Sequence, residues 1–362
     1  MKKTISIILI AALLSIVGLF SSTKTVYAQA PQKNIKLGAY FFAGWSGKRA
    51  QDDGTPENAW AKGMPLSAAK RLVTEFTGRM PPWGWRDDAP GLMEQQIDLA
   101  ADHGISFFSY CWYWFDNKGP INVEAINTHP LHLAMQRFMN AKNNDRMEFS
   151  ILVANHQGYE IIGTEAWKQA ADYWIEHLFK HPRYLKIDGK PVVNIFSPGG
   201  GDAAGFAYLQ EAARKAGFPG VAIACCGTGS TDMYQYRTRY NVIPGYGKTD
   251  EEHPYSELVL AHVKEWFGKP EQPCIPELTV SWDARARGTV SWYYTGSTPE
   301  AFEIALKWMV HWMDTNPEQV NKDRLAVICA WNELDEGSIL VPTKDDPDGA
   351  YLKVIKRIVY GE

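Results

Sequence analysis

The sequence predicts an α/β fold, a single (β/α)8 TIM barrel, on three observations. Eight apolar runs rich in β-branched and aromatic residues recur along the chain, and helical patterns lie between most of them. The runs are apolar almost throughout, as expected for strands whose two faces are both covered. The 362 residues are enough for eight such units. An open, doubly wound sheet is the competing architecture.

Each predicted strand is a short apolar run between polar or turn-forming residues. In chain order the strands are 36–42, 105–114, 148–155, 191–196, 220–226, 240–246, 277–283 and 325–331. The sixth is the weakest, because Pro244 cannot donate a hydrogen bond to a neighbouring strand. Apolar residues at helical spacing predict helices over 90–103, 131–141, 164–180, 203–217, 254–267, 299–315 and 349–359.

Two stretches depart from this regular alternation of strands and helices. Residues 43–89 are rich in Gly, Pro and Trp, and we predict an elaborated loop after strand one. The segment that follows strand five, "TDMYQYRTRY", is short for a helix. No repeat, low-complexity tract or Ser/Pro-rich linker marks a second domain, so we expect one domain over residues 31–362.

The first 30 residues have the pattern of a signal peptide. Lys2 and Lys3 precede the apolar stretch 5–20, and a small-x-small pattern ends at Ala30. Cleavage after Ala30 predicts an exported protein, periplasmic or secreted, without a stable membrane span. The alternative is an uncleaved anchor, but the apolar stretch is short for a membrane span.

Charge and cysteine content narrow the possible partners. A formal net charge of −4 argues against nucleic acid, which requires a basic surface. Five cysteines cannot all pair within one chain, and four of them lie in apolar runs. Buried free thiols are therefore favoured over a disulfide framework.

Aromatic and hydrogen-bonding residues follow the predicted strands, at the barrel end where active sites lie. This combination suits an oligosaccharide or polysaccharide, because sugars stack on aromatic rings and their hydroxyls need hydrogen-bond partners. The alternatives are core packing for any single aromatic residue and capping of strand three for Asn155 and His156. The predicted substrate-binding residues are Tyr40, Trp45, Trp112, Trp114, Asn155, His156, Trp282, Asp283, Trp331 and Asn332.

Two carboxylates in "WNELDEG", Glu333 and Glu336, directly follow the last predicted strand. Hydrolysis of a glycosidic bond requires a protonated carboxyl and a second carboxylate near the anomeric carbon. If the segment turns helically, the spacing of three places both side chains on one side, as in a retaining glycosidase. The alternative is an acidic helix N-terminus, favoured by the helix dipole.

Other polar groupings give weaker signals. His129 and His132 have a spacing compatible with a metal, but their context resembles the start of a helix, so we expect no metal and no cofactor. Asp283 with Arg285 and Arg287 is either a surface ion network or a substrate contact. No G-x-S-x-G motif supports a serine nucleophile.

Several segments in order along the chain resemble the WbsX-like domain family, which is related to glycoside hydrolase family 99, the endo-α-mannosidases. The matching segments are "LGAYFFAGW" at 37–45, "EQQIDLAADHGISFFSYCWYW" at 94–114, "FSILVANHQ" at 149–157, "YLKIDGKPVVNIF" at 184–196, "GSTPEAFEIAL" at 296–306 and "AWNELDEGSILVP" at 330–342. The resemblance implies a (β/α)8 barrel and a retaining, endo-acting glycosidase that uses no metal.

The resemblance also implies roles for the two glutamates. In family 99 the motif is close to W-N-E-W-H-E-G, where the first Glu deprotonates the sugar's own 2-hydroxyl and the second acts as general acid and then base. Glu333 matches the first and Glu336 the second. Leu334 and Asp335 replace the Trp and His of that motif, and Cys111 stands where relatives often carry Asp.

These departures leave other activities open, namely a transglycosidase, another α-glycanase such as an α-glucanase, and a carbohydrate-binding barrel without turnover. Some members of the wider WbsX group are labelled glycosyltransferases. The predicted export weighs against that activity, because nucleotide sugars are cytoplasmic. The segment "SPGGGDAAG" at 197–205 also lacks the G-x-G-x-x-G pattern of a phosphate-binding loop.

Overall fold

The computed structural model describes residues 35–115, 121–227, 229–268 and 272–361. The predicted signal peptide, residues 1–30, lies outside the described residues. Within the described ranges, no helix has the length and apolar character needed to cross a membrane.

Eight parallel strands in the described part of the chain form the predicted barrel. They are β1 Lys36–Phe41, β2 Phe107–Trp112, β3 Glu148–Val153, β4 Lys190–Ile195, β5 Ala222–Cys226, β6 Tyr236–Thr238, β7 Glu277–Thr279 and β8 Leu325–Cys329. Each strand pairs with the next along the chain from β1 to β6, and β8 pairs with both β7 and β1.

The barrel closes between β6 and the segment that leads into β7. The Arg237 amide donates to Pro273 O at 3.0 Å, and the Ile275 amide donates to Arg237 O at 2.9 Å. Because all eight strands run parallel, their carboxyl ends lie at the same face of the barrel.

Helices cover the outside of the barrel, as the apolar strands require. Their bounds are α1 Lys70–Thr74, α2 Leu92–Asp102, α3 Val123–Thr128, α4 Pro130–Asn140, α5 Thr164–Tyr173, α6 Ala203–Lys215, α7 Tyr255–Trp266, α8 Pro299–Thr315 and α9 Ala350–Tyr360. A π-helical segment, Trp174–Phe179, continues α5. The seven predicted helices correspond to α2, α4 and α5 through α9.

The predicted sixth strand is wrong. The strand that completes the sheet is Tyr236–Thr238, within the segment considered short for a helix, whereas residues 240–246 are irregular. This strand carries no apolar signal, because its central residue is Arg237. The guanidinium of Arg237 is buried and donates to Gln272 O at 3.2 Å and to Glu265 O at 2.7 Å. These hydrogen bonds offset the cost of burying the charge.

Alternation along each strand decides which side chains face the barrel interior. On β2, Tyr110 and Trp112 pack against Phe138 of α4 and Trp174, respectively, and so face the helices. Cys111 lies between them and faces inwards. On β1 a side chain at Gly38 would meet the Phe107 ring at 2.3 Å, so only glycine fits there.

Residues 43–89 form the elaborated loop predicted after strand one. The loop contains α1 and two short 3-10 segments, Pro56–Ala61 and Thr77–Arg79. Its chain runs out and back through a ladder of backbone hydrogen bonds, which include Ser67 N to Gly44 O at 3.1 Å and Leu66 N to Ser46 O at 3.0 Å. This ladder holds one wall of the cavity described below.

Candidate active site

A cavity of about 820 Å³ lies at the carboxyl ends of the strands. Its walls come from β2, from the residues after β3, β6 and β8, and from the loop after β1. Cys111 and Tyr113 from the β2 segment face the glutamates Glu333 and Glu336 across it. A volume of this size accommodates several sugar units.

The two glutamates lie on a tight β-hairpin. Asn332–Glu333 pairs antiparallel with Ser338–Ile339, and Glu336 lies in the connecting turn. The segment therefore does not turn helically, which was the condition for placing both side chains on one side through their spacing. The turn contains Gly337 with φ of +70°, a backbone conformation that interrupts a right-handed helix and suits glycine. The hairpin nevertheless brings Glu333 and Glu336 to the same cavity.

Hydrogen bonds hold this hairpin against the end of the barrel. Ser338 Oγ donates to Cys329 O at 2.6 Å, and the Asp283 amide donates to Glu336 O at 2.7 Å. Arg79 lies under the turn, where Nη1 donates to Leu334 O at 3.3 Å and Nη2 pairs with Asp283 at 2.8 Å. A Cβ on Gly337 would approach the Arg79 guanidinium to 3.0 Å. The backbone around the glutamates is thus held from several directions.

Arg287 contacts three carboxylates of the hairpin. Its Nε lies 3.0 Å from Asp335 Oδ2, its Nη2 lies 3.7 Å from Glu333 Oε2, and its Nη1 donates to Glu336 Oε1. Burial lowers the pKa of Arg287, but the three carboxylates outweigh burial and raise it. One guanidinium therefore balances a group of three acidic side chains, each almost fully buried.

Burial raises the pKa of both glutamates. The pKa of Glu336 rises to about 7, even though Arg287 opposes the increase. Burial raises the pKa of Glu333 well above its usual value, and the negative charge of Glu336 adds to this effect. Because two nearby buried carboxylates resist sharing two negative charges, the pair holds a proton close to neutral pH. Such a pair is equipped for acid–base chemistry.

Each glutamate also has one oxygen that accepts no hydrogen bond from the part of the chain described. Glu333 Oε2 and Glu336 Oε2 are buried and have no hydrogen-bond partner among the described residues. The other oxygens are occupied, since Tyr240 donates to Glu333 Oε1 and Arg287 donates to Glu336 Oε1. A sugar hydroxyl can donate to either of these atoms, and a protonated Glu336 Oε2 can donate to a glycosidic oxygen.

Tyr240 donates a hydrogen bond to the Glu333 oxygen that Arg287 does not contact. Burial raises the pKa of Tyr240 well above its usual value, and the charge of Glu333 adds to this effect, so the phenol stays protonated and donates. Burial, followed by the charge of Glu333, likewise raises the pKa of Cys111. The thiol at this wall therefore stays neutral.

We expect the Tyr240→Phe variant to lower kcat about 10- to 100-fold, because Glu333 loses the hydrogen bond that stabilises its ionised form. Loss of that hydrogen bond raises the pKa of Glu333 further, so the acidic limb of the pH–activity profile should move to higher pH. Kinetics across the pH range check this. An unchanged acidic limb would contradict the assignment of Glu333 as the group that must ionise.

Of the residues predicted from sequence, four line the cavity: His156, Trp282, Glu333 and Glu336. The His156 ring lies among aromatic side chains, 5.3 Å from Tyr159 and 5.7 Å from Phe196 between ring centroids. Trp282 is buried in the wall beside Tyr246, with ring centroids 6.2 Å apart.

Three predicted tryptophans lie outside the cavity lining, and the prediction that they bind substrate needs correction. Trp112 faces the helices, where it stacks on His132 with ring centroids 5.6 Å apart. Trp114 packs against Trp112. Trp331 packs on Phe108, and its Nε1 donates to Gln96 Oε1 at 2.7 Å. Alternation along β2 turns Trp112 towards the helices, and all three rings are buried in the core.

Five further predicted residues have packing or hydrogen-bonding roles behind the cavity wall, and the first three are Tyr40, Trp45 and Asn155. Tyr40 packs under Tyr240 with ring centroids 4.9 Å apart, and Trp45 Nε1 donates to Asn332 O at 2.8 Å. Asn155 exchanges two hydrogen bonds with the backbone of Ser197.

The side chains of Asp283 and Asn332 are also bound by other groups of the protein. Asp283 pairs with Arg79 and Arg285, each at 2.8 Å, and caps the short 3-10 segment Ala284–Ala286. The Asn332 side chain accepts from the Phe42 amide at 2.8 Å and donates to Phe42 O at 2.9 Å. Since their polar atoms are bound within the protein, these residues support the site and do not line it.

We expect the Asn332→Ala variant to lower the free energy of unfolding by about 2–4 kcal/mol, because two buried backbone groups of Phe42 lose their partners. Denaturant unfolding measures the change. Replacement of the exposed Glu165 by Gln is the control, and it should leave the free energy of unfolding almost unchanged. An Asn332→Ala protein as stable as the parent would contradict this structural role.

The sequence prediction missed Tyr240, Tyr246 and Asp335, and it left Arg287 undecided between a surface network and substrate contact. Tyr240 follows β6 closely, so a correct sixth strand would have placed it at the barrel mouth. Arg287 contacts residues far along the chain, and no local signal predicts that contact. Tyr246 is 57% exposed at the cavity, where an uncovered aromatic ring suits a sugar.

The two histidines considered for a metal have other partners. His132 accepts from the Tyr113 amide at 3.0 Å and donates to Ile126 O at 2.9 Å, while burial lowers its pKa to about 3. His129 caps α4. In the part of the chain that the structure describes, no group of three His, Cys, Asp or Glu residues is arranged to hold a metal.

Comparison with known proteins gives one family and a consistent fold. A family model described as glycosyltransferase WbsX matches residues 86–254 and 233–355. The uncharacterized protein WxcX of Xanthomonas campestris pv. campestris (strain B100) is 23% identical over 164 residues, covering 40% of this chain and 22% of that protein. The chain thus spans about a fifth of the length of the curated relatives it matches.

Two solved structures share the architecture. The GH99 endo-alpha-mannosidase from Bacteroides thetaiotaomicron matches with a TM-score of 0.57 and 12% identity, covering 90% of this chain and 96% of that one. A structure described as a glycoside hydrolase-like protein matches with a TM-score of 0.60 and 12% identity, covering 94% and 97%. At these identities the likeness shows the (β/α)8 fold.

Proposed function

The chain belongs to the family described as glycosyltransferase WbsX, and from this premise and its site we propose that it is a retaining glycoside hydrolase acting on α-linked glycans. The substrate is α-mannoside-like and is cleaved internally. Glu333 acts on the sugar 2-hydroxyl, and Glu336 is the general acid and base. The signal-peptide pattern supports export to the periplasm or the medium.

One observation carries this proposal, the buried pair Glu333 and Glu336 at the wall of a sugar-sized cavity. Each has an oxygen that accepts no hydrogen bond from the described residues, and burial raises the pKa of each. Binding alone would not require two carboxylates with raised pKa values beside one another. The aromatic rings of Tyr246 and Phe196, which are not buried, supply stacking surfaces at the cavity.

In the first step Glu333 removes the proton of the 2-hydroxyl, and that oxygen attacks the anomeric carbon as the glycosidic bond breaks. Glu336 donates its proton to the leaving oxygen, which gives a 1,2-anhydro sugar. In the second step Glu336 takes a proton from water, the water oxygen attacks the anomeric carbon, and Glu333 returns its proton to the 2-oxygen. Two inversions give net retention.

This mechanism restricts the stereochemistry of the substrate. The 2-oxygen must attack from the face opposite the leaving group, which the α-manno configuration allows and the α-gluco configuration does not. An α-glucanase would therefore need one of the glutamates to attack the anomeric carbon itself. The proposed assignment thus favours the α-mannoside class over the α-glucan alternative.

In the free protein burial raises the pKa of both glutamates, and Arg287 opposes the increase at each of them. A 2-hydroxyl that donates to Glu333 Oε2 stabilises the ionised form of Glu333, and the proton then resides on Glu336. The pair titrates as a unit, so substrate contacts decide which oxygen carries the proton.

The family description names a glycosyltransferase, which is the main competing activity. A glycosyltransferase must hold the diphosphate of a nucleotide sugar. Around the glutamates the cavity presents Glu333, Asp335 and Glu336, and Arg287 is already paired with them. This excess of negative charge opposes a diphosphate at that position.

The test is digestion of a panel of α-mannans, α-glucans and host-type N-glycans with the parent protein and the Glu336→Gln variant. Products are identified by mass and by anomeric configuration. Internal cleavage of an α-mannoside with retention, lost in the variant, supports the proposal. Transfer from nucleotide sugars, products longer than the substrate, or binding without turnover would instead support a glycosyltransferase, a transglycosidase or a binding barrel, respectively.

A further inference from the structure

Arg49 is the second arginine that lines the cavity, and it differs from Arg287 in its partners. Arg287 contacts three carboxylates, whereas Arg49 forms no ion pair within the described residues. The side chain of Arg49 donates one hydrogen bond, from Nη1 to Leu66 O at 2.9 Å. Its Nε is buried and has no acceptor. A guanidinium has five N–H donors, so most of this group is unused by the protein.

The backbone around Arg49 is held rigidly at the cavity wall. The Arg49 amide donates to Met64 O at 3.0 Å, which extends the hydrogen-bond ladder of the loop after β1. The base of this ladder is fixed to the neighbouring segment, because Ser46 Oγ donates to Asp87 Oδ1 at 2.6 Å and Arg86 donates to Gly47 O at 2.7 Å. A cation on a fixed support is prepared for a ligand before the ligand arrives.

We infer that the natural glycan carries an anionic substituent, a carboxylate, sulfate or phosphate, and that Arg49 binds it. This inference rests on the proposed function and names the substrate class of the same cavity. The planar guanidinium pairs with such oxyanions through parallel hydrogen bonds. A neutral glycan would leave the charge of Arg49 without a counterion once the sugar displaces water.

The charges of the cavity also place the substituent away from the bond that is cleaved. Glu333, Asp335 and Glu336 repel an anion near the anomeric carbon, and Arg49 lies beyond ion-pair distance of all three. The anionic group is therefore bound away from the anomeric carbon. A nucleoside diphosphate is a different occupant, and the experiment below includes it.

The alternative is that Arg49 only fastens the loop, through Leu66 and through the Trp60 ring, which lies 5.9 Å from the guanidinium carbon. This distance is at the outer limit for a cation–π contact. A fastening role predicts lower stability in Arg49 variants and equal losses on all glycans. A binding role predicts a loss of affinity for anionic glycans alone. Measurements of stability and of affinity therefore distinguish the two roles.

The first experiment is binding to an array of oligosaccharides in which neutral backbones are matched with uronate, sulfate and phosphate derivatives. The Glu336→Gln protein is used so that nothing is cleaved. We expect at least one anionic class to bind about tenfold more tightly than its neutral match. Adding Arg49→Gln should remove the preference, and adding Arg49→Lys should retain part of it. Adding Lys48→Gln is the control, because Lys48 is exposed next to Arg49 and does not line the cavity.

Equal binding of neutral and anionic glycans, a preference that survives Arg49→Gln, or binding of no anionic glycan would each overturn the inference. Competition by a nucleoside diphosphate without glycan binding would overturn it too. A second measurement does not depend on the folding of Arg49 variants: for the Glu336→Gln protein, added salt should weaken binding of the anionic glycan and leave the neutral match almost unchanged.

The second experiment separates this inference from the proposed function. The parent protein is given an acidic polysaccharide and the same polymer after reduction of its carboxyl groups. If the parent protein cleaves the acidic form faster and Arg49→Gln does not, both the hydrolase function and the role of Arg49 are supported. Cleavage of neutral glycans with no effect of Arg49→Gln retains the hydrolase and overturns the inference. Arg49-dependent binding of anionic glycans without cleavage retains the inference and overturns the hydrolase.

Discussion

Replacing Glu336 by Gln should lower kcat on natural glycans by about 10³-fold, because the leaving oxygen loses its proton donor. The amide keeps the shape of the side chain and cannot transfer the proton. The loss should be much smaller on a glycosyl fluoride, whose leaving group needs no protonation. Replacing Glu333 by Gln should lower kcat about equally on both substrates, because the 2-hydroxyl is then never activated.

Comparison of kcat for the two variants on both substrates checks the assignment of roles. The exposed carboxylate variant Glu165→Gln is the matched control and should retain full activity. If the glycosyl fluoride restored activity to Glu333→Gln and not to Glu336→Gln, Glu333 would be the general acid and Glu336 would activate the 2-hydroxyl. Full activity in either variant would remove the carboxylate pair from the mechanism.

Replacing Arg287 by Met should have the second largest effect, lowering kcat/KM near neutral pH by about 100-fold. Three buried carboxylates then lose their shared cation, so the pKa values of Glu333 and Glu336 rise further. Since catalysis requires one of the pair to be ionised, the acidic limb of the pH profile should move to higher pH. The free energy of unfolding should also fall by roughly 2 kcal/mol, because the substitution leaves buried carboxylates without their cation.

A second substitution makes this prediction specific. Removing the negative charge of Asp335 in the Arg287→Met background, by Asp335→Asn, should lower the pKa of Glu336 again and restore part of the activity. Arg285→Met is the control, because Arg285 pairs with Asp283 and does not line the cavity. An unshifted pH profile in Arg287→Met, or no recovery in the double variant, would show that Arg287 does not set the charge of the pair.

Most of the barrel followed from local patterns in the chain. Seven of the eight predicted strands overlap barrel strands, because a strand covered on both faces must be apolar almost throughout. The sixth failed because Arg237 is buried through carbonyl acceptors contributed by residues 265–272, which no window of sequence around β6 contains.

Part of the candidate site also followed from local sequence patterns, and part did not. Glu333 and Glu336 were predicted because they directly follow an apolar strand, where a barrel concentrates its chemistry, and both line the cavity. The sequence alone determined the fold class, the family resemblance and this pair. Only the tertiary structure decided that the pair lies on a hairpin, that Trp112 and Trp331 face the helices, and that Tyr240 and Arg287 hold the glutamates. The reason is physical: composition reports which residues prefer burial, whereas barrel closure and strand alternation determine which face each occupies and which distant partner it meets.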